Sequence, residues 1–224
     1  RTERDLSMKV VGIGSLILLL VIALLPNTLI PGTNIGSKLL LGLLVIIFGA
    51  FFVTVASRIV GLIGSSNSPI SGMTIATLMG TCLIFIAVKW TGYVYEPMAL
   101  VVGGMICIAA ANAGATSQDL KTGYLVGATP KYQQISLFVG AIVSSIAIGA
   151  TIKVLDQPTA EMVSQGIQHA IGTDKYPAPQ GTLMATLIKG ILSFNLDWQF
   201  VLVGVFIAVV MELCGIKALS FAIG

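Results

Sequence analysis

Charge is what this sequence has least of. Lysine and arginine together number 12 and aspartate and glutamate 9, so only 9% of the 224 residues are charged while 56% are hydrophobic. A water-soluble domain carries about 25% charge, and a chain this poor in charge cannot coat a water-facing surface. The net charge of +3 is too weak to suggest nucleic acid as a partner. Histidine occurs once, at His169, and cysteine three times, at Cys82, Cys107 and Cys214, each inside an apolar run. No CxxC or Cys/His spacing suggests a metal site, and no cofactor is expected; the cysteines read as small core residues. Walker A, HExxH and GxSxG patterns are missing too. Their absence leaves the chain without an ATP engine of its own and argues against an intramembrane enzyme. With a mean hydropathy of +0.98, the composition points to a multi-pass integral protein of the cell membrane. The first residue is Arg1 and the last residues lie inside an apolar run, the pattern expected of a portion of a longer protein.

A spanning helix needs about 20 mostly apolar residues. Six stretches meet or approach this: 8–25, stopped by Pro26; 39–62; 73–90; 98–113; 135–155; and 198–213, with a possible extension to Ala222. A shorter apolar piece, 182–192, is interrupted by Lys189 and reads as an interfacial or re-entrant helix. The runs are continuous rather than alternating, which favours helices over barrel strands. The expected fold is therefore all-α, a polytopic transmembrane bundle of about six spans plus one short helix, with 1–224 as a single membrane domain. Residues 156–197 form the long extramembrane connection. Small residues recur every four positions at Ala141, Ser145 and Gly149, and at Ala99 and Gly103, a spacing that lets membrane helices pack closely. If the spans alternate, Arg1, Arg4, Lys9, Arg58, Lys121, Lys131 and Lys217 fall on one side, and Lys38, Lys89, Lys153, Lys175 and Lys189 on the other. The first group marks the expected cytoplasmic side. Trp90, Tyr93, Tyr95 and Trp198 fall at outer ends, where aromatic belts belong.

Two segments break the apolar text. The first is "GLIGSSNSPISGM", residues 61–73. Irregular backbone at membrane depth survives only when it is buried in protein or lines a wet cavity, and interrupted helices in transporters expose N–H and C=O groups to substrates. Asn67 and Ser71 are candidate substrate residues on that reading; an ordinary polar loop between two spans is the other. The second is "NAGATSQDLKTGYLVGATPKYQQ", residues 112–134. Gly123, Gly127 and Pro130 punctuate it as a turn would. As a binding or gating segment it offers hydrogen bonds from Asn112, Thr116 and Gln118 and charge from Asp119 and Lys121. The expectation is a polar end of the fourth helix as far as Lys121, followed by a turn from Lys121 to Thr129.

Charges near or within spans add two candidates. Glu212 lies late in the sixth span, where an ionised carboxylate costs about 2.5–3.5 kcal/mol. It is the candidate for proton coupling if enclosed, and an interfacial carboxylate if it lies outside the hydrocarbon. Arg58 either snorkels to headgroups or acts as a counter-charge.

The segment "NAGATSQDLKTGYLVGATPKYQQ" closely resembles the hallmark segment of the oligopeptide transporter family, particularly its prokaryotic branch. "GLIGSSNSPISGMTIATL" is similar to that family's asparagine–x–proline–x–serine–glycine segment, and "ELCGIKALSFAIG" resembles the start of one of its late helices. The three motifs occur in the family's order, and the resemblance covers the chain from about Leu39 onward. It implies the later portion of a secondary transporter that moves small peptides, coupled to protons, across the lipid bilayer together with the rest of its chain. A metal chelate is the alternative cargo. A channel or scaffold without coupling is the reading of a different class.

Overall fold

A computed structural model describes residues 4–27, 29–32, 34–65, 68–164, 166–194 and 198–216. Arg1, Asn67, Asp197, Lys217 and the possible extension of the last span lie outside the described residues. Every regular element within them is a helix: α1 Met8–Leu24, α2 Ile35–Ile63, α3 Ile70–Ala87, α4 Glu96–Leu125, α5 Pro130–Leu155, α6 Ala160–Ser164, α7 Pro179–Leu192 and α8 Trp198–Leu213. Four of these, α2 to α5, have the length and composition to cross a membrane, and α1 and α8 are shorter apolar helices. The six apolar runs are all helical, but only four reach full spanning length.

The boundaries follow from local chemistry. Asn34 caps α2 through a reciprocal pair: its side-chain oxygen accepts from the Ser37 N–H at 3.0 Å, and Ser37 Oγ accepts from the Asn34 N–H at 3.1 Å. This box starts α2 four residues ahead of its expected position. Lys38, one residue further on, is buried, and its ammonium donates to the carbonyl of Leu25, the residue that closes α1. The α1–α2 connection is thereby held to the start of α2. α2 ends at Gly64, whose φ of +86° suits glycine.

α4 differs from expectation in length. It has 30 residues, about 45 Å at about 1.5 Å per residue, against a hydrocarbon core of about 30 Å. Pro97 in its first turn needs no N–H partner there, and Glu96 complements the helix N-terminus. Lys121 to Leu125, expected as turn, are its last helical residues. The turn is confined to residues 126–129, where Gly127 takes a φ of +75° before Pro130 opens α5. Gly123, which reads as a turn signal, is a packing residue instead, and Gly114 is another. A Cβ on Gly114 would stand 2.9 Å from Val60 Cγ2, and one on Gly123 would stand 2.0 Å from Gln133 Nε2.

α4 is the hub, packing on α2, α3, α5 and α7, while α1 packs on α2. The main core includes Leu41, Leu44, Leu78, Cys82, Phe85, Met98, Val102 and Ile106, and a smaller cluster of Ala56, Met73 and Ala110 lies toward the other end. Ala99 and Gly103 belong to the packed face of α4; a Cβ on Gly103 would meet Leu78 Cδ2 at 2.3 Å. α3 buries a threonine stripe. Thr74 and Thr77 turn their hydroxyls onto the carbonyls of Ile70 and Met73. The fully buried Thr81 hydroxyl has no partner among the described residues. α7 is two-faced, with Ile188, Ile191 and Leu192 buried against α3 and α4 and Lys189 exposed. α5 buries none of its residues, so its Ala141, Ser145 and Gly149 ridge is exposed. α8 packs on no other helix among the described residues.

Candidate functional site

The second polar segment meets the last turns of α2 where α2 crosses α4. Ser57 and Ser117 hydroxyls are hydrogen-bonded at 2.7 Å, and Ser117 Oγ also donates to the Ala113 carbonyl at 2.8 Å. With Gly114 seated against Val60, this fixes the C-terminal half of α4 on the C-terminal turns of α2. Beyond the crossing lies an open cleft of about 510 Å³ lined by Val60, Gly61, Ser117, Gln118, Asp119, Lys121 and Thr122, the last four of them exposed. Asp119 and Lys121 form no ion pair among the described residues. The Lys121 ammonium lies 5.8 Å from the centroid of the Tyr124 ring, within cation–π range. The cleft therefore offers one carboxylate, one ammonium and an amide within a turn and a half of one helix.

A strap of backbone and amide contacts holds the end of α4 and the start of α5. Gln133 Nε2 donates to the Asp119 carbonyl at 3.1 Å, in the space Gly123 leaves. Gln134 Oε1 accepts from the Leu6 N–H at 2.9 Å and its Nε2 donates to Asp5 Oδ1 at 3.3 Å. The Lys131 N–H donates to the Arg4 carbonyl at 2.9 Å. The segment ahead of α1 is thus tied to the α4–α5 turn, and Arg4, Arg58, Lys121 and Lys131 share one end of the bundle.

A second cavity, of about 410 Å³, lies between α3, α4 and α7. Ser71, Thr74, Cys107 and Gln180 are among its lining residues. The sequence-nominated residues are therefore divided. Gln118, Asp119 and Lys121 share the cleft, and Ser71 lines the cavity. Asn112 and Thr116 line neither, and the Thr116 hydroxyl is turned onto the Asn112 carbonyl at 2.7 Å. Asn67 lies outside the described residues. Glu212 is exposed in the last turn of α8, on a helix that packs against no other described helix. Val60, Gly61 and Ser57 were not nominated. Ser57 interrupts an apolar run one helical turn before Val60 and Gly61, and that spacing is the signal available for them. Gln133 and Gln134 stand in the quoted motif, yet their role shows only in the fold.

Outside the spans, Asp156 closes α5 and organises the following connection. Its Oδ1 accepts from the Ile171 N–H at 3.1 Å and its Oδ2 lies 2.7 Å from His169 Nδ1. The Ile171 N–H, and then His169, hold the Asp156 carboxyl below its ordinary value. Among the described residues no three His, Cys, Asp or Glu side chains gather as metal ligands would.

Comparison with known proteins agrees with the motifs. No solved structure matches the chain. A curated protein of Haemophilus influenzae (strain Rd), whose name describes it provisionally as an oligopeptide transporter, is 30% identical over 175 residues. That match covers 74% of this chain and 28% of the relative, so the chain spans under a third of the relative's length. The family model for the OPT oligopeptide transporter protein matches residues 1–221. Nearly the whole sequence is covered, and the chain belongs to the OPT oligopeptide transporter family.

Proposed function

We propose that this chain supplies part of the cargo path of a proton-coupled transporter of small peptides, and that the α2–α4 cleft meets the charged ends of the cargo. The observation that carries this reading is the cleft itself. Asp119 and Lys121 stand within two residues of each other without an ion pair among the described residues, beside amide and hydroxyl groups, on a chain of a transporter family. A peptide carries an ammonium and a carboxylate, and a paired acid and base suits both. Arg4, Arg58, Lys121 and Lys131 share this end of the bundle, which supports placing it on the cytoplasmic side. Asn112 and Thr116, on the same stretch of α4, and Asn67 and Ser71, from the other polar segment, are further cargo contacts on this reading, and Glu212 carries the coupling proton where the rest of the full-length chain encloses it.

Uptake into proteoliposomes by the full-length protein tests this, with small peptides and metal chelates compared with and without a pH gradient. Gradient-dependent peptide accumulation is expected, with strong loss in Asp119→Asn and in Lys121→Gln. Tyr124→Phe keeps the ring beneath Lys121 and is expected to be mild. Glu212→Gln should spare peptide exchange and abolish pH-driven accumulation. Chelate uptake without peptide uptake reassigns the cargo. Downhill flux unaffected by the gradient makes the protein a channel. Normal transport by both charge-neutral variants moves the site away from this cleft.

A further inference from the structure

The cavity between α3, α4 and α7 has no role in the charge-reading cleft, and its walls are of another character. It is lined mainly by Leu78, Leu100, Gly103, Gly104, Cys107 and Met184. We propose that it is a subsite for an uncharged, aliphatic side chain of the same cargo; the inference rests on the peptide reading above.

Three observations carry it. The first is size and character: about 410 Å³ lies within the range of about 300–1,000 Å³ usual for small-ligand sites, which are mostly apolar with few polar groups. The second is the way the wall is made. Gly103 and Gly104 are adjacent but do different things. A Cβ on Gly103 would strike Leu78, so that glycine serves helix packing. A Cβ on Gly104 would meet nothing within 4 Å. Gly104 leaves open space without any packing need among the described residues.

The third is alignment with the cleft. Gly104, Cys107, Ala111, Ala115 and Gln118 follow helical spacing along one face of α4. Gln118 lines the cleft and Gly104 and Cys107 line the cavity. Ala111 and Ala115, both small and exposed, lie between them. The rise from Cys107 to Gln118 is about 16 Å at about 1.5 Å per residue, and the exposed Ile108 is the large side chain that borders that line near the cavity. One face of α4 thus joins a charged cleft to an apolar cavity, through the small Ala111 and Ala115 and past the apolar Ile108. α7 makes the far wall: Gln180 and Gly181 of its first turn, and Met184, line the same cavity as Ser71 and Thr74 of α3.

The test uses the full-length protein in proteoliposomes and two peptides of equal length, one of alanine only and one with a single leucine. Gly104→Leu should fill the cavity. Uptake of the alanine peptide should stay within about twofold of the parent, while uptake of the leucine peptide should fall by tenfold or more. Gly104→Ala, adding one methyl to open space, should transport both and show that the position tolerates a side chain. Cys107 supplies a second readout in a background where Cys214 and any other reactive cysteine is serine. Its labelling by a small methanethiosulfonate should be slowed by the leucine peptide more than by the alanine peptide. Equal loss of both peptides in Gly104→Leu, no loss of either, or labelling indifferent to both peptides would each overturn the subsite. If the parent takes up neither peptide, the peptide reading fails and the subsite with it. If the parent takes up both and Gly104→Leu changes nothing, only the subsite fails.

Discussion

Replacing Gly114 with alanine tests whether the α2–α4 crossing holds the cleft together. The new methyl would lie 2.9 Å from Val60 Cγ2, and Val60 is 3% exposed. A β-branched residue in a helix has essentially one χ1 rotamer, so Val60 cannot swing clear and the helices must part by a few tenths of an ångström. Overpacking of this kind costs about 1–3 kcal/mol. Alanine returns about 0.8–1.0 kcal/mol of helix propensity over glycine. The net destabilisation should be about 0–2 kcal/mol. The sharper quantity is the coupling, because Val60→Ala removes the colliding methyl. In the double variant the clash disappears, and the two changes should couple favourably by about 1–3 kcal/mol. Reversible unfolding of the parent, both single variants and the double variant of the full-length protein in mixed micelles measures all four corners. If Gly114→Ala is at least as stable as the parent and the double variant is additive within about 0.5 kcal/mol, the close approach is not what fixes these helices.

Thr81→Val should stabilise the protein by about 1–3 kcal/mol in the same unfolding assay, because it removes a buried hydroxyl with no partner among the described residues; an equal loss would show that the hydroxyl is bonded. Asn34→Ala should cost about 0.5–2 kcal/mol by removing the cap of α2, read as a lower unfolding midpoint. Asp156 has a depressed pKa, so its hold on the connection is complete above the ordinary carboxylate value and is lost as pH falls through the depressed one. At neutral pH, Asp156→Asn should therefore speed hydrogen exchange at Ile171 relative to the parent, and the difference should vanish once the parent carboxyl is protonated. Equal exchange at neutral pH would remove Asp156 from that role.

Hydropathy made the helices legible, because the apolar runs are continuous rather than alternating and a continuous run satisfies its backbone in lipid as a helix. It failed where polar residues continue a helix. Residues 114–125 carry an amide, an acid and a lysine, none of which breaks a helix, and the two glycines there mark close neighbours rather than a bend. The start of α2 was readable from Asn34 and Ser37, three apart, but an apolar window centres on Leu39 and beyond. Asp119 and Lys121 stand out in the sequence by their charge. Their grouping with Val60 and Gly61 depends on how two helices cross, which no local pattern encodes. The place of α7 was hidden for the same reason: its amphipathic face says that it packs, and only α3 and α4 say where.

The contact between Leu6 and Gln134 joins residues 128 positions apart. During synthesis the N–H of Leu6 leaves the ribosome long before its acceptor exists. At about 5–20 residues per second, the interval is roughly 6–26 seconds, ample time for α1 to enter the bilayer and settle on α2. The Arg4 carbonyl waits equally for the Lys131 N–H. Closing the α4–α5 turn is therefore also the event that retrieves the chain's earliest described residues, and a nascent chain arrested before residue 134 would carry that segment with these bonds unmade.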